Sequence, residues 1–216
     1  MRVGIICEGS TDFTVIEALA LDLLPANECV QLHPDFDKLQ STRDPAHAPG
    51  WQGVRKFLQT SGPALALPVY DVIVIQVDAS IRKLAELKLP SLEEDAAESE
   101  SIDLLYKHVE GWATIGLPES AIITLPREEL EAWLVAAHTN LKDVEALKDP
   151  AGELASRSLI GMKKGKPDKD ATVYRTLAGP LVQLARDTKK VRKIPELERF
   201  VGRLRARARQ VRSAKR

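Results

Sequence analysis

The strongest constraint on what this chain can fold into is the run Val72-Ile73-Val74-Ile75, extended by Val77 and bracketed by Asp71 and Asp78. β-branched side chains lose freedom in a helix and fit a pleated surface, and a run that is apolar at every position fits a strand covered on both faces. Such strands belong to parallel sheets, whose crossovers place helices on each side. Val3-Gly4-Ile5-Ile6-Cys7 and Ala121-Ile122-Ile123-Thr124-Leu125 have the same texture, and a further strand is expected near Cys29 to Leu32. Between these runs the apolar residues take helical spacing. Phe13, Ile16, Leu19, Ala20 and Leu23 form one such set, and Val54, Phe57 and Leu58 mark a helix around residues 50 to 60. Leu104, Leu105, Val109 and Trp112 form a third, and Leu130, Trp133, Leu134 and Ala137 stand at i, i+3, i+4 and i+7 after Pro126. Strand and helix alternate from residue 3 to residue 138. That is the order of an α/β protein with a mostly parallel, open sheet and helices on both faces.

Beyond about Leu147 the texture changes. Gly161-Met162-Lys163-Lys164-Gly165-Lys166-Pro167-Asp168-Lys169-Asp170 is dense in Gly and Lys, and two helices are expected after it, from Thr172 to Ala185 and from Pro195 to Ser213. The chain therefore divides into an α/β domain, 1–147, and a basic helical extension, 148–216, packed on it or following it. Residues 91–101 are acidic and nearly free of large apolar groups, and read as a loop or an exposed helix start. The 31 Lys and Arg balance 31 Asp and Glu, yet 13 of the basic residues and only 3 of the acidic ones lie from Arg186 onward. The body is thus acidic and the tail basic. Arg203, Arg205, Arg207, Arg209, Arg212, Lys215 and Arg216 have the charge pattern of a surface that neutralises phosphates, although a solvated tail has the same composition.

The apolar runs reach only about half of the roughly 20 residues that a bilayer helix needs, which excludes a transmembrane helix. Met1-Arg2 leads straight into a strand pattern without a secretory leader, and Cys7 and Cys29 read as reduced thiols, so a cytoplasmic location is expected. His33, His47, His108 and His138 lack metal-ligand spacing and are expected at the surface or at helix ends. Gly165-Lys166 is followed by neither Ser nor Thr, which excludes a phosphate loop of the nucleotide-triphosphate type.

In an open parallel sheet, ligands gather beyond the carboxyl ends of the strands. Glu8 and Asp12 follow the first strand, Asp78 ends the third, and Glu128, Glu129 and Glu131 follow the fourth. Carboxylates converging on one edge repel one another, and hard oxygen ligands suit Mg²⁺ or Mn²⁺. Simpler roles compete for some of these groups. Asp12 is placed to cap a helix, and Glu128 and Glu129 suit a first helical turn. Glu8 and Asp78 satisfy no such local need. Lys163, Lys164, Lys166 and Lys169 are candidates for holding a nucleic-acid backbone beside the acids, or for keeping a loop soluble.

Glu8-Gly9-Ser10-Thr11-Asp12 after an apolar strand, the strand ending at Asp78, and Glu129-Leu130-Glu131-Ala132-Trp133-Leu134 together resemble the TOPRIM-like domains of bacterial proteins of unknown function and of overcoming-lysogenization-defect nucleases. The resemblance covers residues 1–138 and extends more weakly over 163–178. It implies a Mg²⁺- or Mn²⁺-dependent enzyme that cleaves phosphodiester bonds, in the setting of a toxin or phage-defence effector. By this resemblance Glu8, Asp12 and Asp78 are catalytic, and Glu8 and Asp78 hold metal. Glu131, with Glu129 behind it, would supply a further metal oxygen. The sequence departs from the family's Asp-x-Asp, because Ser80 stands in the second acidic position. The alternative is therefore an inactive TOPRIM-like module that binds nucleic acid or a partner ATPase subunit. A receiver domain fits less well, since a single Glu rather than an acidic pair follows the first strand.

Overall fold

The computed structural model describes residues 1–60, 69–87, 89 and 98–214. Four strands, β1 (Arg2–Ile6), β2 (Glu28–His33), β3 (Val72–Gln76) and β4 (Ala121–Thr124), form one sheet in the order β2-β1-β3-β4, with every pair parallel. The chain leaves β1 for β2 on one side and returns to β3 on the other. The switch in strand order therefore falls between β1 and β3, where open α/β sheets leave a crevice.

Side chains alternate along each strand, and the two faces have separate cores. Val3, Ile5, Val72, Val74 and Ile122 bury against α1 (Ser10–Leu23), α5 (Glu131–His138), α7 (Ala171–Arg186) and α9 (Pro195–Ala214) through Leu19, Trp133, Leu181, Phe200 and Leu204. Ile6, Ile73, Ile75 and Ile123 bury against α3 (Trp51–Gln59) and α4 (Glu98–Glu110) through Val54, Phe57, Leu58, Leu105 and Val109. The protein is thus an α/β fold with an all-parallel sheet between two helical layers. The helices of the basic extension form part of one layer, with Tyr174, Leu177, Phe200 and Leu204 in the same core as Val3 and Ile5. Among the described residues, no helix is long and apolar enough to cross a membrane.

Differences from the sequence reading have local causes. The fourth helix starts at Glu131 rather than at Pro126, because residues 126–130 make a turn that hydrogen-bonds β3's carboxyl end, with Ala79 N donating to Pro126 O at 2.7 Å. Short helices α2 (Phe36–Thr42), α6 (Pro150–Ser156) and α8 (Thr188–Val191) are nucleated by Asp35, Asp149 and Asp187 at their N-caps, each accepting from a backbone amide of the first turn. Of the acidic run at 91–101, residues 91–97 lie outside the described residues and α4 begins at Glu98. Lys215 and Arg216 also lie outside the described residues.

The N-terminus of α9 is fixed from a distance. The buried Glu145 carboxylate accepts from Trp133 Nε1 at 2.9 Å and from the amides of Glu196 and Leu197 at 3.2 Å. It serves as a side-chain cap at the positive end of the helix, supplied from about fifty residues earlier. On the other layer, α3 lies so close to the loop before it that a Cβ at Gly53 would stand 1.8 Å from Ala48 O. Gly53→Ala should therefore destabilise the fold by about 1–3 kcal/mol in urea titrations. Gly202→Ala, at an exposed helical position with no atom within 4 Å, should gain up to about 1 kcal/mol.

Candidate active site

The strand ends and the turn after β4 bring five carboxylates to one edge of the sheet, at the switch between β1 and β3. Glu8 Oε1 accepts from the Asp78 amide at 2.7 Å, which ties the two central strand ends together. Gln76, fully buried at the end of β3, spans the same gap. Its Oε1 accepts from Glu8 N at 3.3 Å and its Nε2 donates to Asp78 Oδ1 at 2.9 Å. Leu130 N donates to the same Asp78 oxygen at 3.2 Å, joining the turn after β4 to the cluster. Asp12 is buried in the first turn of α1, whose N-cap is Gly9, and the Gly9 amide is one of its neighbours.

Glu131, the first residue of α5, is wholly buried. Its Oε1 accepts from Tyr174 Oη at 2.7 Å and from Lys169 Nζ at 2.8 Å. Glu129 stands 3.8 Å from the same ammonium. Glu131 Oε2 and Glu129 Oε2 are buried without a hydrogen-bond partner. Glu128 belongs elsewhere, because Arg82 Nη2 at 2.9 Å and Lys83 Nζ at 2.7 Å hold it away from the other acids.

The electrostatics follow from this crowding. Burial, opposed by the amides of Asp78 and Trp51, pushes the Glu8 carboxyl up to about 7. Burial first, and then the charges of the neighbouring acids, hold Asp78 and Asp12 well above the ordinary carboxylate range. Glu129 is also raised by burial, with Lys169 opposing. Burial pulls Lys169 down, but Glu131, Glu129 and Asp12 outweigh it, so the ammonium keeps its proton. Glu128 is lowered: burial acts upward, and the hydrogen bonds from Lys83 and Arg82 outweigh it.

Lys169, one of the lysines expected to hold a nucleic-acid backbone beside the acids, lies within the carboxylate cluster. The other three lysines lie on a hairpin that leads to it, formed by β5 (Met162–Lys163) and β6 (Lys166–Pro167). Lys164 and Gly165 make its turn at φ 52° and 76°, the pair of left-handed conformations that a two-residue hairpin turn requires. Lys163, Lys164 and Lys166 are all exposed on it.

Three of the four arginines expected to contact nucleic acid also donate to protein carbonyls. Arg203 Nη1 donates to Ile123 O on the edge strand at 2.6 Å, Arg205 Nη2 to Ala185 O at 2.8 Å, and Arg207 Nη2 to Asp71 O at 3.2 Å. They close the unpaired carbonyls that a sheet edge and a helix end leave. Asp71 precedes β3, so Arg207 lies at the amino end of the sheet, away from the acids. Arg209 alone of the four is exposed, with no partner for its guanidinium among the described residues.

His33 also departs from expectation. It is fully buried at the end of β2 with neither ring nitrogen hydrogen-bonded, and burial lowers it to about 4. It fills the space under α3 beside Phe57, with ring centroids 5.4 Å apart. Gln76 is the site residue that the sequence reading missed. A polar side chain inside a run buried on both faces needs a partner, and that was the available signal. Comparison of the chain with family models, curated proteins and solved structures returns no match.

The donor set suits a hard divalent cation in kind, because the oxygens of Glu131 and Glu129 are buried and unsatisfied. It is not pre-gathered: among the described residues, no three acids, imidazoles or thiols stand at metal-ligand spacing. Lys169 supplies the positive charge in this arrangement. The cluster also sets a pH signature. The folded chain holds a proton on Glu8 between the ordinary value of 4.5 and about 7, where the unfolded chain has released it. Its contribution to stability is complete below pH 4.5 and is lost as pH rises through 7. In EDTA, Glu8→Gln should therefore match wild type near pH 4.5 and exceed it by up to about 3 kcal/mol at pH 8, read by chemical denaturation at both pH values.

Proposed function

We propose that this protein is a divalent-metal-dependent phosphodiesterase acting on nucleic acid, of the TOPRIM type that its sequence resembles. The observation that carries this reading is the convergence of Glu8, Asp12, Asp78 and Glu131 from three chain segments on one crevice, with buried carboxylate oxygens left unsatisfied. A fold tolerates such repulsion where it is used, and perturbed acids in a crevice are the usual mark of a site. Glu8, Asp78 and Glu131 would hold Mg²⁺ or Mn²⁺, with Glu129 in support. The metal, when bound, supplies Lewis-acid polarisation of the phosphate and acidifies a water.

The chain's own groups do the rest. Glu8, near neutrality in its proton affinity, takes the proton of the attacking water. Asp12, buried and held well above the ordinary carboxylate range, is the neighbouring acid that can keep a proton beside it. Gln76 holds Glu8 and Asp78 in fixed relation, so neither acid has to be ordered at the moment of reaction. Lys169, charged and carried on the hairpin base, offers hydrogen bonds to a phosphate oxygen. Lys163, Lys164 and Lys166 hold the adjoining backbone.

A second reading has its own support. Ser80 stands where the family pattern has its second acid, and Lys169 already neutralises the cluster. Both features suit a non-catalytic module that binds nucleic acid or a partner ATPase subunit.

Assays on single- and double-stranded substrates decide between them. Asp78→Asn and Glu8→Gln should each lower Mn²⁺- or Mg²⁺-dependent cleavage by about a thousandfold or more while circular dichroism stays unchanged. Cleavage that survives both substitutions would remove the enzyme reading. Mn²⁺ should raise the melting temperature of wild type at pH 8 and leave that of Asp78→Asn nearly unmoved.

A further inference from the structure

At the amino end of the sheet, the C-terminal ends of α1 and α7 meet α9, and four arginines surround the junction. Arg186, the last residue of α7, donates through Nε at 3.0 Å and through Nη2 to the carboxylate of Asp22, near the end of α1. Arg205 Nη2 donates to Ala185 O at 2.8 Å and Arg186 O at 3.4 Å, capping α7. These contacts fix two guanidinium groups and leave each with unused N–H donors, since a guanidinium carries five. Arg209 and Arg212 follow on the same face of α9 at i+4 and i+7 from Arg205. Both are exposed, and neither guanidinium has a partner among the described residues. With Asp22 and Leu23 the four arginines line an open cleft of about 380 Å³.

The charge of this cleft is decided by counting. Four guanidinium groups face one carboxylate, and the two helix ends add roughly half a negative charge each. About two positive charges remain, in a space large enough for a phosphate and its flanking sugar. The carboxylate cluster lies beyond the opposite ends of the strands, across a β3 of five residues, or roughly 17 Å. The arginine cleft attracts a polyanion without a divalent cation, and it stands at the end of the sheet away from the carboxylates and their hairpin lysines.

We propose that Arg186, Arg205, Arg209 and Arg212 form a metal-independent phosphate site, taking a backbone phosphate of the nucleic-acid strand whose reacting bond lies at the carboxylates. The identity of the polymer rests on the function proposed above, whereas the phosphate chemistry of the cleft does not. Arg186 and Arg205 are pre-ordered donors, and Arg209 and Arg212 close on the bound group.

The test uses the full chain in EDTA, with binding of a fluorescent oligonucleotide of about 20 nucleotides read by anisotropy. Inorganic phosphate is measured separately by calorimetry. Arg209→Ala and Arg212→Ala, made together, sit at exposed helical positions and should leave the melting temperature within a degree or two. They should weaken oligonucleotide binding at least tenfold and reduce the slope of log K against log salt by roughly 2. Arg209→Lys and Arg212→Lys, made together, should retain part of the affinity that the alanine pair loses. Loss of phosphate binding with oligonucleotide affinity unchanged assigns the cleft to free phosphate rather than to the polymer. Unchanged affinity for both ligands overturns the proposal. Mn²⁺-dependent cleavage by wild type, measured separately, reports on the carboxylate end, so loss of that function and loss of the arginine site are distinguishable.

Discussion

Like charges forced together at a low-dielectric strand edge are what the rest of this structure has to accommodate. Two unit charges about 4 Å apart interact by roughly 4 kcal/mol at an effective dielectric of 20, so several buried acids cannot all ionise without a counter-charge. The fold answers in three ways. Protons stay on the acids, most clearly on Glu8, Asp12 and Asp78. Amide donors from Gln76, Asp78 and Leu130 spread the negative charge into hydrogen bonds. Lys169 brings one permanent cation to Glu131. The hairpin and α7, which flank Lys169 in sequence, are tied to the cluster by this pairing, with Tyr174 closing the same carboxylate from the helix.

The layers of the fold were legible because they depend on composition at neighbouring positions. Runs such as 72–75 specify strands covered on both faces, and the i, i+3, i+4 pattern from Leu130 to Ala137 specifies the helix that covers one of them. The acids at strand ends were legible for a related reason, since Glu8 and Asp78 had no local structural use. Contacts between residues far apart in the chain were not legible. Nothing near Lys169 in sequence separates it from Lys163, Lys164 and Lys166, and only the hairpin carries it to Glu131. Likewise Arg203, Arg205 and Arg207 look like one solvated stripe until the edge of β4 and the end of α7 are placed beside them. His33 shows the same limit, as burial under α3 depends on the loop that brings Ala48 against Gly53.

The arginines of α9 show how one residue type serves two ends in one helix. On the side that meets β4 and α7 they complete backbone hydrogen bonding, and the guanidinium groups of Arg199 and Arg203 stand over the Tyr106 ring, 4.9 and 4.7 Å from its centroid. Beyond Arg207 the helix has no carbonyls left to close, and its charge faces solvent. Exposed Arg209 and Arg212 thus leave unpaired positive charge at the end of the sheet away from the carboxylates, where it can draw a polyanion from a distance.

The Glu145 cap on α9 also bears on how the chain is made. Contacts that complete the first layer link Arg186 to Asp22 and Arg207 to Asp71, across 164 and 136 residues, and α9 itself is anchored by a side chain fifty residues upstream. A ribosome that has released the four strands has therefore released a sheet face that has α1 over it but still lacks α5, α7 and α9. The cover of Val3, Ile5 and Val74 is completed by α7 and α9, so closure of this core waits on segments far along the chain from the strands they pack against.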